Sequence, residues 1–401
     1  MMTTELADWK NSKLGEVIDL FDNQRVPLNS RERQQRQGQY PYYGAQGIID
    51  YIDGYIFDGR YILVAEDGEN LNSKKLPLAL FATGKFWVNN HAHILRGKSG
   101  IVDDTFLLAC LNNADIKPFI TGAAQPKLSQ QNLRLIDIPL PPLPIQKRIA
   151  GILSAYDELI ENNQRRIRIL EEMARSLYRE WFVHFRYPGH ESVPLIDSPL
   201  GPIPQGWEVK PVSESFEIMG GGTPSRKIDE YWDGGDIQWY TPRDLTGAGS
   251  MFMDDSSDHI TELGLKKSSA RLFPARSVML TSRATIGAIS INTHKACTNQ
   301  GFITCIPNNE VSLYFLYQWL NENVPTFQRM ASGATFKEIS RGVFKTIEFL
   351  QPEADLVERY EETVTPMAKE VLLTQRKIKN LRTTRDLLLP KLLSGQVQLE
   401  R

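Results

Sequence analysis

The histidines and cysteines of this 401-residue sequence are few and widely spaced. His91 and His93 are two residues apart, so on a strand both would face one side and could ligate a metal ion. No third ligand follows them at a useful spacing. His294, Cys297 and Cys305 likewise lack a fourth partner for zinc. The sequence therefore predicts no metal site.

The glycine-rich and acidic segments form no known catalytic motif. Residues 220–227 read Gly-Gly-Gly-Thr-Pro-Ser-Arg-Lys, but no Gly-Lys-Ser/Thr closes them, so they are not a Walker A loop. Such a backbone could approach a phosphate closely, or it could be a flexible hairpin. The pairs Asp103–Asp104 and Asp254–Asp255 suit turns or surface positions. Since HExxH, GxSxG and Asn/Asp-Pro-Pro-aromatic sequences are also absent, we predict a protein that binds rather than catalyses.

Basic, amide and aromatic residues alternate between residues 22 and 44. Residues 22–39 contain four arginines and five glutamines, and lead into the tyrosine-rich sequence from Tyr40 to Gly44. Arginine suits guanine and phosphate, glutamine suits adenine, and tyrosine stacks or touches sugar. The segment is therefore a candidate for DNA contact, although a solvated surface loop would have the same composition.

The apolar pattern around these residues predicts short strands and loops. We expect strands at residues 14–20 and 128–138, a long loop over residues 22–39, and a strand over residues 232–245 that ends in Arg243 and Asp244. Residues 298–301 resemble residues 88–91, and both follow apolar segments. Candidate polar side chains would then lie at strand ends in both halves of the chain.

A long helix over residues 144–185 must position these elements. A proline cluster at residues 139–144 precedes it, and apolar or seam residues then recur at steps of three and four from Ile145 to Trp181. About 40 residues would make a rod of roughly 60 Å, which is too long for an ordinary globular helix without a partner of similar length.

The partner is a second copy of the same pattern, offset by 211 residues. The stripe recurs from Leu356 to Leu392, and the polar seam residue Asn163 falls on Thr374. The sequence Thr-Gly-Ala-Ala at 121–124 falls on Ser-Gly-Ala-Thr at 332–335. Two amphipathic helices would resemble each other anyway, but the matched Gly-Ala positions before them indicate an internal duplication.

The composition is that of a protein with two or three globular parts. Residues 1–144 carry 15 basic and 16 acidic side chains, and residues 188–353 carry 14 and 19, so neither globular half is basic. If the chain binds DNA, its basic groups must cluster on one face or partners must supply phosphate contacts. Three cysteines, no apolar run of about 18 residues and no signal-peptide pattern predict a cytoplasmic protein.

Three stretches carry a resemblance to a known family. They are Gly122–Leu153 with its proline-rich entry and Gln146-Lys-Arg-Ile sequence, Leu170–Phe182, and Leu200–Trp207 with its Leu-Gly-Pro-Ile-Pro sequence. On these the chain resembles the specificity (S) subunit of type I restriction-modification systems, and residues 43–68 resemble one type of target recognition domain. Ile145, where the family often has Glu, and the reduced Gln351-Pro-Glu entry depart from the pattern without disturbing the helical stripe.

The resemblance implies an α+β fold with two mixed α/β target recognition domains, separated by two long antiparallel coiled-coil helices in a pseudo-two-fold repeat. The expected boundaries are residues 1–143 for the first domain, 144–186 for the central helix, 187–206 for a proline-rich linker, 207–353 for the second domain, and 354–401 for the C-terminal helix and tail.

The resemblance also implies a function. Each recognition domain would read one half of a bipartite site in double-stranded DNA, and the helices would act as a spacer. The subunit would not be catalytic. It would join two modification (methyltransferase) subunits and ATP-dependent restriction subunits, and S-adenosylmethionine, ATP and Mg²⁺ would bind to those partners. The alternative is a coiled-coil scaffold that joins proteins and does not read DNA.

Residue chemistry and loop placement give candidates for DNA contact. In the first half they are Arg31, Arg33, Arg36, Tyr42, Tyr43 and Asn89, and in the second half Thr223, Ser225, Arg226, Lys227, Arg243, Arg283, Asn299 and Lys337.

Overall fold

The computed structural model of the protein describes residues 9–122, 125–333 and 336–397. The chain divides into two compact units, and each is built from a globular part and portions of two long helices. Unit 1 contains the residues up to Asn162 and those from Ile378 onward, and unit 2 contains Asn163–Lys377.

Unit 1 places short helices around a twisted sheet. Its strands are β1 (Lys10–Lys13), β2 (Ile18–Leu20), β3 (Gln37–Gly44), β4 (Gly47–Ile52), β5 (Phe57–Ala65), β6 (Ala79–Val88), β7 (Ala92–Gly97) and β8 (Asp137–Leu140). Its helices are α1 (Leu14–Val17), α2 (Ser30–Gln35), α3 (Asn70–Ser73), α4 (Asp104–Asn113) and α5 (Gln130–Arg134). The long helix α6 (Leu143–Tyr178) begins in this unit and continues as a π-helical turn, Arg179–Val183, in unit 2.

Unit 2 repeats this organisation with shorter and more numerous strands. Its strands are β9 (Leu195–Ile196), β10 (Ile203–Pro204), β11 (Glu208–Pro211), β12 (Glu217–Gly220), β13 (Ile237–Tyr240), β14 (Phe252–Met253), β15 (Asp258–Ile260), β16 (Val278–Thr281), β17 (Ile289–Asn292), β18 (Ala296–Thr298), β19 (Phe302–Ile306) and β20 (Glu348–Gln351). Its helices are α7 (Val212–Ser215), α8 (Pro242–Ala248), α9 (Glu262–Lys266), α10 (Leu313–Glu322), α11 (Val324–Met330) and α12 (Arg341–Lys345). The second long helix, α13 (Ala354–Leu393), begins here and ends in unit 1.

Strand pairing shows the internal repeat directly. The six-stranded sheet of unit 1 has the order β2-β7-β5-β6-β3-β4. Unit 2 has β12-β19-β16-β17-β14 and β15-β13-β18. The two patterns match if the single strand β6 corresponds to β17 and β18 together. In both units corresponding strands pair parallel, β3 with β6 and β13 with β18, and unit 2 also pairs β14 parallel to β17. Strands β1 and β8 pair antiparallel in unit 1, as β11 and β20 do in unit 2. The predicted repeat and the two-domain α+β fold are therefore confirmed.

The long helices run antiparallel within each unit. In unit 1, Asp157 of α6 forms an ion pair with Arg385 of α13 at 2.6 Å. In unit 2, Arg166 pairs with Glu370, and the Tyr360 hydroxyl donates to the Ala174 carbonyl at 3.3 Å. As residue numbers rise along α6, those of the α13 partners fall, which is the predicted antiparallel pairing.

Each helix is fastened to the globular part that precedes it. The fully buried Gln146, in the first turn of α6, accepts a hydrogen bond from the Asp103 amide and donates to the carbonyls of Ile101 and Pro141. In unit 2, Glu361 of α13 accepts from the Ser312 hydroxyl and the Tyr314 amide at the start of α10. These bonds satisfy groups that would otherwise be buried without partners.

Three local predictions for unit 1 were wrong. In each case a helix cap or the spacing of core residues explains why a short helix forms there. Residues 14–20 begin as the helical turn α1, because Leu14 and Val17 are three residues apart and both pack into the core. The predicted loop over residues 22–39 contains α2, which a capping box starts, with Asn29 and Glu32 satisfying each other's backbone amides. The predicted strand over residues 128–138 contains α5, which Ser129 caps, before strand β8.

Candidate nucleic-acid interface

Three strand ends meet at one edge of unit 1. The Asn89 amide, after β6, donates to the Tyr43 carbonyl of β3 at 3.0 Å. The Glu66 amide, after β5, donates to the His91 carbonyl at 2.9 Å. The segment from Pro126 to Leu128 joins them, because the Gly68 amide donates to the Pro126 carbonyl and the Leu128 amide to the Glu66 carbonyl. We call this group of strand ends and loops the strand-end edge.

Unit 2 builds the same edge with the same backbone hydrogen bonds. The Asn299 amide donates to the Tyr240 carbonyl at 3.0 Å, and the Ser282 amide to the Gly301 carbonyl at 2.8 Å. The Ala284 amide donates to the Lys337 carbonyl, and the Ile339 amide to the Ser282 carbonyl, each at 2.9 Å. Four hydrogen bonds thus correspond one to one between the units. Residues 88–91 and 298–301, which resemble each other in sequence, occupy corresponding positions.

Reciprocal backbone hydrogen bonds close a loop neck at each edge. In unit 1 the amides and carbonyls of Thr121 and Lys127 bond to each other, both at 2.8 Å. In unit 2 Ser332 and Glu338 do the same, at 3.0 and 2.8 Å. The Ala123–Ala124 and Ala334–Thr335 parts of the predicted repeat lie outside the described residues.

The strand-end edge of unit 2 brings together several predicted DNA-contact residues. Arg283, Asn299 and Phe336 line a recess of about 270 Å³ with Pro242, Ala284, Gln300 and Gly301. The exposed Thr223 hydroxyl donates to Gln300 Oε1 at 2.7 Å, so the glycine-rich segment also reaches this edge. Arg243 and Lys337 are exposed and directly follow Pro242 and Phe336. The arrangement offers cationic, amide and hydroxyl groups on one surface.

Arg243 lies on a helix instead of at a strand end. Strand β13 ends at Tyr240, and α8 begins at Pro242. Proline at the first helical position and the Asp244 carboxylate on the Thr241 amide start this helix. Its first turn therefore presents Arg243 to solvent.

A second group of predicted residues lies apart from this recess in unit 2. The Arg226 guanidinium pairs with Asp258 and stacks over the Trp232 ring, 3.5 Å from its centroid. Ser225 and Lys227 flank it and are exposed. These contacts hold Arg226 against the protein surface.

In unit 1 the predicted residues divide into buried and exposed groups. Tyr42 is fully buried, and its hydroxyl accepts from the Leu28 amide at 2.9 Å. Arg33 pairs with Asp50 at 2.9 Å and Arg36 with Asp53 at 2.9 Å, and their guanidinium groups lie over the rings of Tyr42 and Trp87. Arg31 is exposed on α2.

Tyr43 and Asn89 both lie on the strand-end edge of unit 1. Tyr43 is half-buried and packs edge-on against Phe86. Asn89 is only 7% exposed, and its Oδ1 accepts from the His91 amide. Asn299 makes the same contact with the Gly301 amide. Both asparagines therefore shape the turn, and only the rest of each side chain is available for contact.

A charged network under the strand-end edge of unit 1 was missed from the sequence. His93 places Nδ1 2.6 Å from Asp22 Oδ2 and Nε2 2.8 Å from the Leu128 carbonyl. Both ring nitrogens of His93 therefore face an oxygen acceptor. Arg25 donates to Glu66 at 2.7 Å and pairs with Asp22 at 3.5 Å. The residues are distant in sequence, so spacing alone gave no signal.

The network keeps its carboxylates ionised. Burial alone would raise the pKa of Asp22, but hydrogen bonds from His93 and the Ile94 amide outweigh it and hold that pKa below its usual value. Burial likewise opposes ionisation of Glu66, and Arg25 and His93 lower its pKa. Asp22, Glu66 and His93 have the spacing of a metal site. However, Arg25 pairs with both carboxylates and Lys127 pairs with Glu66, so the group is better described as an ion-pair network.

None of the helices in the described ranges is long and apolar enough to span a lipid bilayer.

Comparison with known proteins identifies the family. A family model described as the type I restriction modification DNA specificity domain matches residues 7–172 and 204–358. The MjaIX specificity subunit of Methanocaldococcus jannaschii, from a type I restriction enzyme, is 37% identical over 161 residues, which are 40% of this chain and 37% of that protein. That match therefore spans little more than a third of the relative.

Other comparisons extend over the whole chain. The HindI specificity subunit of Haemophilus influenzae, also from a type I restriction enzyme, is 22% identical over 477 positions, covering 98% of this chain and 100% of that protein. The crystal structure of a type I restriction-modification S subunit from M. genitalium has a TM-score of 0.64 and 16% identity, covering 100% of this chain and 99% of that one, which shows a shared fold. The matched strand-end edges and helix pair, with a family model over both halves, show that the chain belongs to the specificity subunits of type I restriction-modification systems.

Proposed function

We propose that the two strand-end edges each contact one half of a bipartite site in double-stranded DNA. The observation that carries this proposal is the correspondence of four backbone hydrogen bonds between the edges of units 1 and 2. Two edges with the same backbone and different exposed side chains suit two domains that each bind a different short DNA sequence. The unit 2 edge presents Arg283, Thr223 and Lys337, which are groups that bind base edges and phosphates.

The charge of the chain supports assembly with DNA-binding partners. Residues 188–353 carry a net charge of −5, from 14 basic and 19 acidic side chains. Phosphate neutralisation supplies much of the affinity of DNA-binding proteins. We infer that partner subunits provide many of the phosphate contacts, while the strand-end edges supply the contacts that depend on sequence.

The partners in this proposal are two modification subunits and the restriction subunits. The chain itself would carry no catalytic group, and S-adenosylmethionine, ATP and Mg²⁺ would bind on the partners. The duplicated helices would form the spacer between the half-sites, because α6 and α13 both continue from one unit into the other. A scaffold that joins proteins without reading DNA is the competing function. It does not account for the exposed polar and cationic groups that share the unit 2 edge.

Selection from a random duplex pool tests the proposal. The chain is co-expressed with a modification subunit, and bound duplexes are recovered and sequenced. The proposal predicts enrichment of two short defined sequences separated by a fixed number of unspecified base pairs. A complex that assembles but enriches no such site would instead favour the scaffold function.

A further inference from the structure

Phe336 is an exposed aromatic residue beside a hydrogen-bonded loop neck. It is 60% exposed at the neck of unit 2. An exposed phenylalanine side chain forgoes the free energy that burial would contribute. Isolated exposed apolar residues are common on proteins, so exposure alone indicates little. The position and support of Phe336 are what distinguish it.

Backbone contacts close the neck beside Phe336. The reciprocal hydrogen bonds between Ser332 and Glu338 close the neck. Gly333 has φ +125°, and a Cβ there would lie 2.3 Å from the Phe336 carbonyl oxygen. Only glycine fits this close approach. The Phe336 carbonyl therefore lies against the closed neck.

Unit 1 builds the same neck around a different residue. Gly122 has φ +84°, and a Cβ there would lie 2.3 Å from the Gln125 carbonyl oxygen. Gln125 is 211 positions before Phe336 and is also exposed. The two necks thus present an amide in unit 1 and an aromatic ring in unit 2. The two units thus share the backbone of the neck but differ in the exposed side chain beside it. This is expected of a position that contacts different DNA sequences and not of one that packs the core.

The surroundings of Phe336 match the chemistry of DNA. Lys337, the next residue, is exposed, and Arg283 and Asn299 line the same recess as the ring. Arg283 is about half exposed and only loosely paired with Glu338, at 3.7 Å. A ring flanked by two cations suits a polyanion whose apolar base faces lie between phosphates.

We propose that Phe336 is an apolar wedge that unstacks one base step in the half-site contacted by unit 2. This inference rests on the proposed DNA-reading function. The ring packs between neighbouring bases while Arg283 and Lys337 contact adjacent backbone or base-edge groups. Such insertion kinks the duplex, and steps that unstack easily, such as TA or CA, are favoured at that position. Gln125, at the corresponding position of unit 1, provides no such wedge.

Fluorescence of 2-aminopurine tests the wedge, because this base analogue brightens when it is unstacked. The selected duplex is prepared with 2-aminopurine at successive positions in both half-sites and bound to the complex with the modification subunit. Bases that the modification subunits flip out of the duplex should brighten with every variant. We expect one further position, in the half-site of unit 2, to brighten with wild-type protein and with Phe336→Trp, and to stay dark with Phe336→Ala. The same Phe336→Ala change should weaken binding by about tenfold, the scale of one base–aromatic stack. Gln125→Ala is the matched control at the corresponding position and should leave the signal unchanged.

The outcomes separate the wedge from the DNA-reading function. If wild-type protein selects a bipartite site but every position that brightens also brightens with Phe336→Ala, the wedge is wrong and the function stands. If Phe336→Ala prevents assembly with the modification subunit on gel filtration, Phe336 belongs to a protein contact and the wedge is again wrong. If the wild-type complex selects no bipartite site, both proposals fail.

Discussion

At the scale of single residues, chemistry was predictable from the sequence and placement was not. The sequence predicts Arg283 and Lys337 as cationic contact residues, and both are exposed on the strand-end edge of unit 2. Residue type predicts Tyr42 on equal grounds, yet its ring lies in the core. One tyrosine in an alternating strand faces inward and the next outward, and the register that decides this depends on pairing with distant strands. Phe336 went unnoticed because an aromatic residue in a loop has no spacing signal.

The ion-pair network of unit 1 gives a stability prediction. Asp22→Asn should lower the free energy of unfolding by about 3 kcal/mol at pH 7, because it leaves His93 buried without its carboxylate. Glu262→Gln is the control, since the exposed pair with Lys266 contributes less than about 0.5 kcal/mol. Urea unfolding at neutral pH measures both changes. If Asp22→Asn lowered the free energy of unfolding no more than Glu262→Gln does, the network would not stabilise the fold as described.

The same variant predicts a pH dependence. The pKa of Asp22 is lowered in the folded protein, so its stabilisation is present above its unfolded pKa of about 4 and is lost as the pH falls through the lowered value. The difference in the free energy of unfolding between wild type and Asp22→Asn should therefore become smaller below about pH 4. A difference that is constant from pH 7 to pH 3 would mean that Asp22 is not the titrating group.

Lys337 gives a prediction about salt. If it contacts a phosphate, Lys337→Ala in the complex should reduce the slope of log binding constant against log salt concentration by about one, and weaken cognate and random duplexes alike. Lys210→Ala is the control, because Lys210 lies on β11, away from the strand-end residues, and pairs with Glu208. Titrations at several salt concentrations give both slopes. Equal slopes for wild type and Lys337→Ala would remove Lys337 from the interface.

At the scale of elements, the long helices were predictable because their signal is periodic over many turns. The stripe and offset located both α6 and α13, whereas short elements escaped because their determinants are single caps. The box of Asn29 and Glu32 that starts α2 lies within a stretch that otherwise has loop composition. Pro366 lies inside α13, where proline normally costs about 3 kcal/mol. The buried Tyr360, Val364 and Ala368 pack that helix on the unit 2 core, which outweighs the local cost.

The packing of α13 can be measured at Tyr360. Its ring is fully buried and packs against Tyr178, Trp181 and Phe182. Tyr360→Ala should lower the free energy of unfolding by about 4 kcal/mol, because it leaves a cavity in this cluster. Leu373→Ala, on an exposed position of the same helix, should change it by less than about 0.5 kcal/mol. Similar losses for the two variants in urea unfolding would show that the cluster does not hold the helix.

At the scale of the whole molecule, the duplication explains most of what the sequence revealed. A constant offset of 211 residues predicted two related domains and two related helices, and strand pairing bears this out. What the repeat could not reveal is where the copies differ. Strand β6 of unit 1 is replaced by β17 and β18 in unit 2, and Gln125 by Phe336. Under the proposed function, these differences make the half-sites unlike each other.

Replacing the second globular part with the first tests the central claim most directly. Residues 207–353 are exchanged for residues 9–142, so that both long helices are preceded by the same strand-end edge. Duplexes bound by the complex with the modification subunit are then selected from a random pool and compared with the wild-type site. The account predicts that one wild-type half-site is retained and that the other is replaced by the inverted repeat of the retained half. Selection of the unchanged wild-type site by the exchanged chain would contradict it.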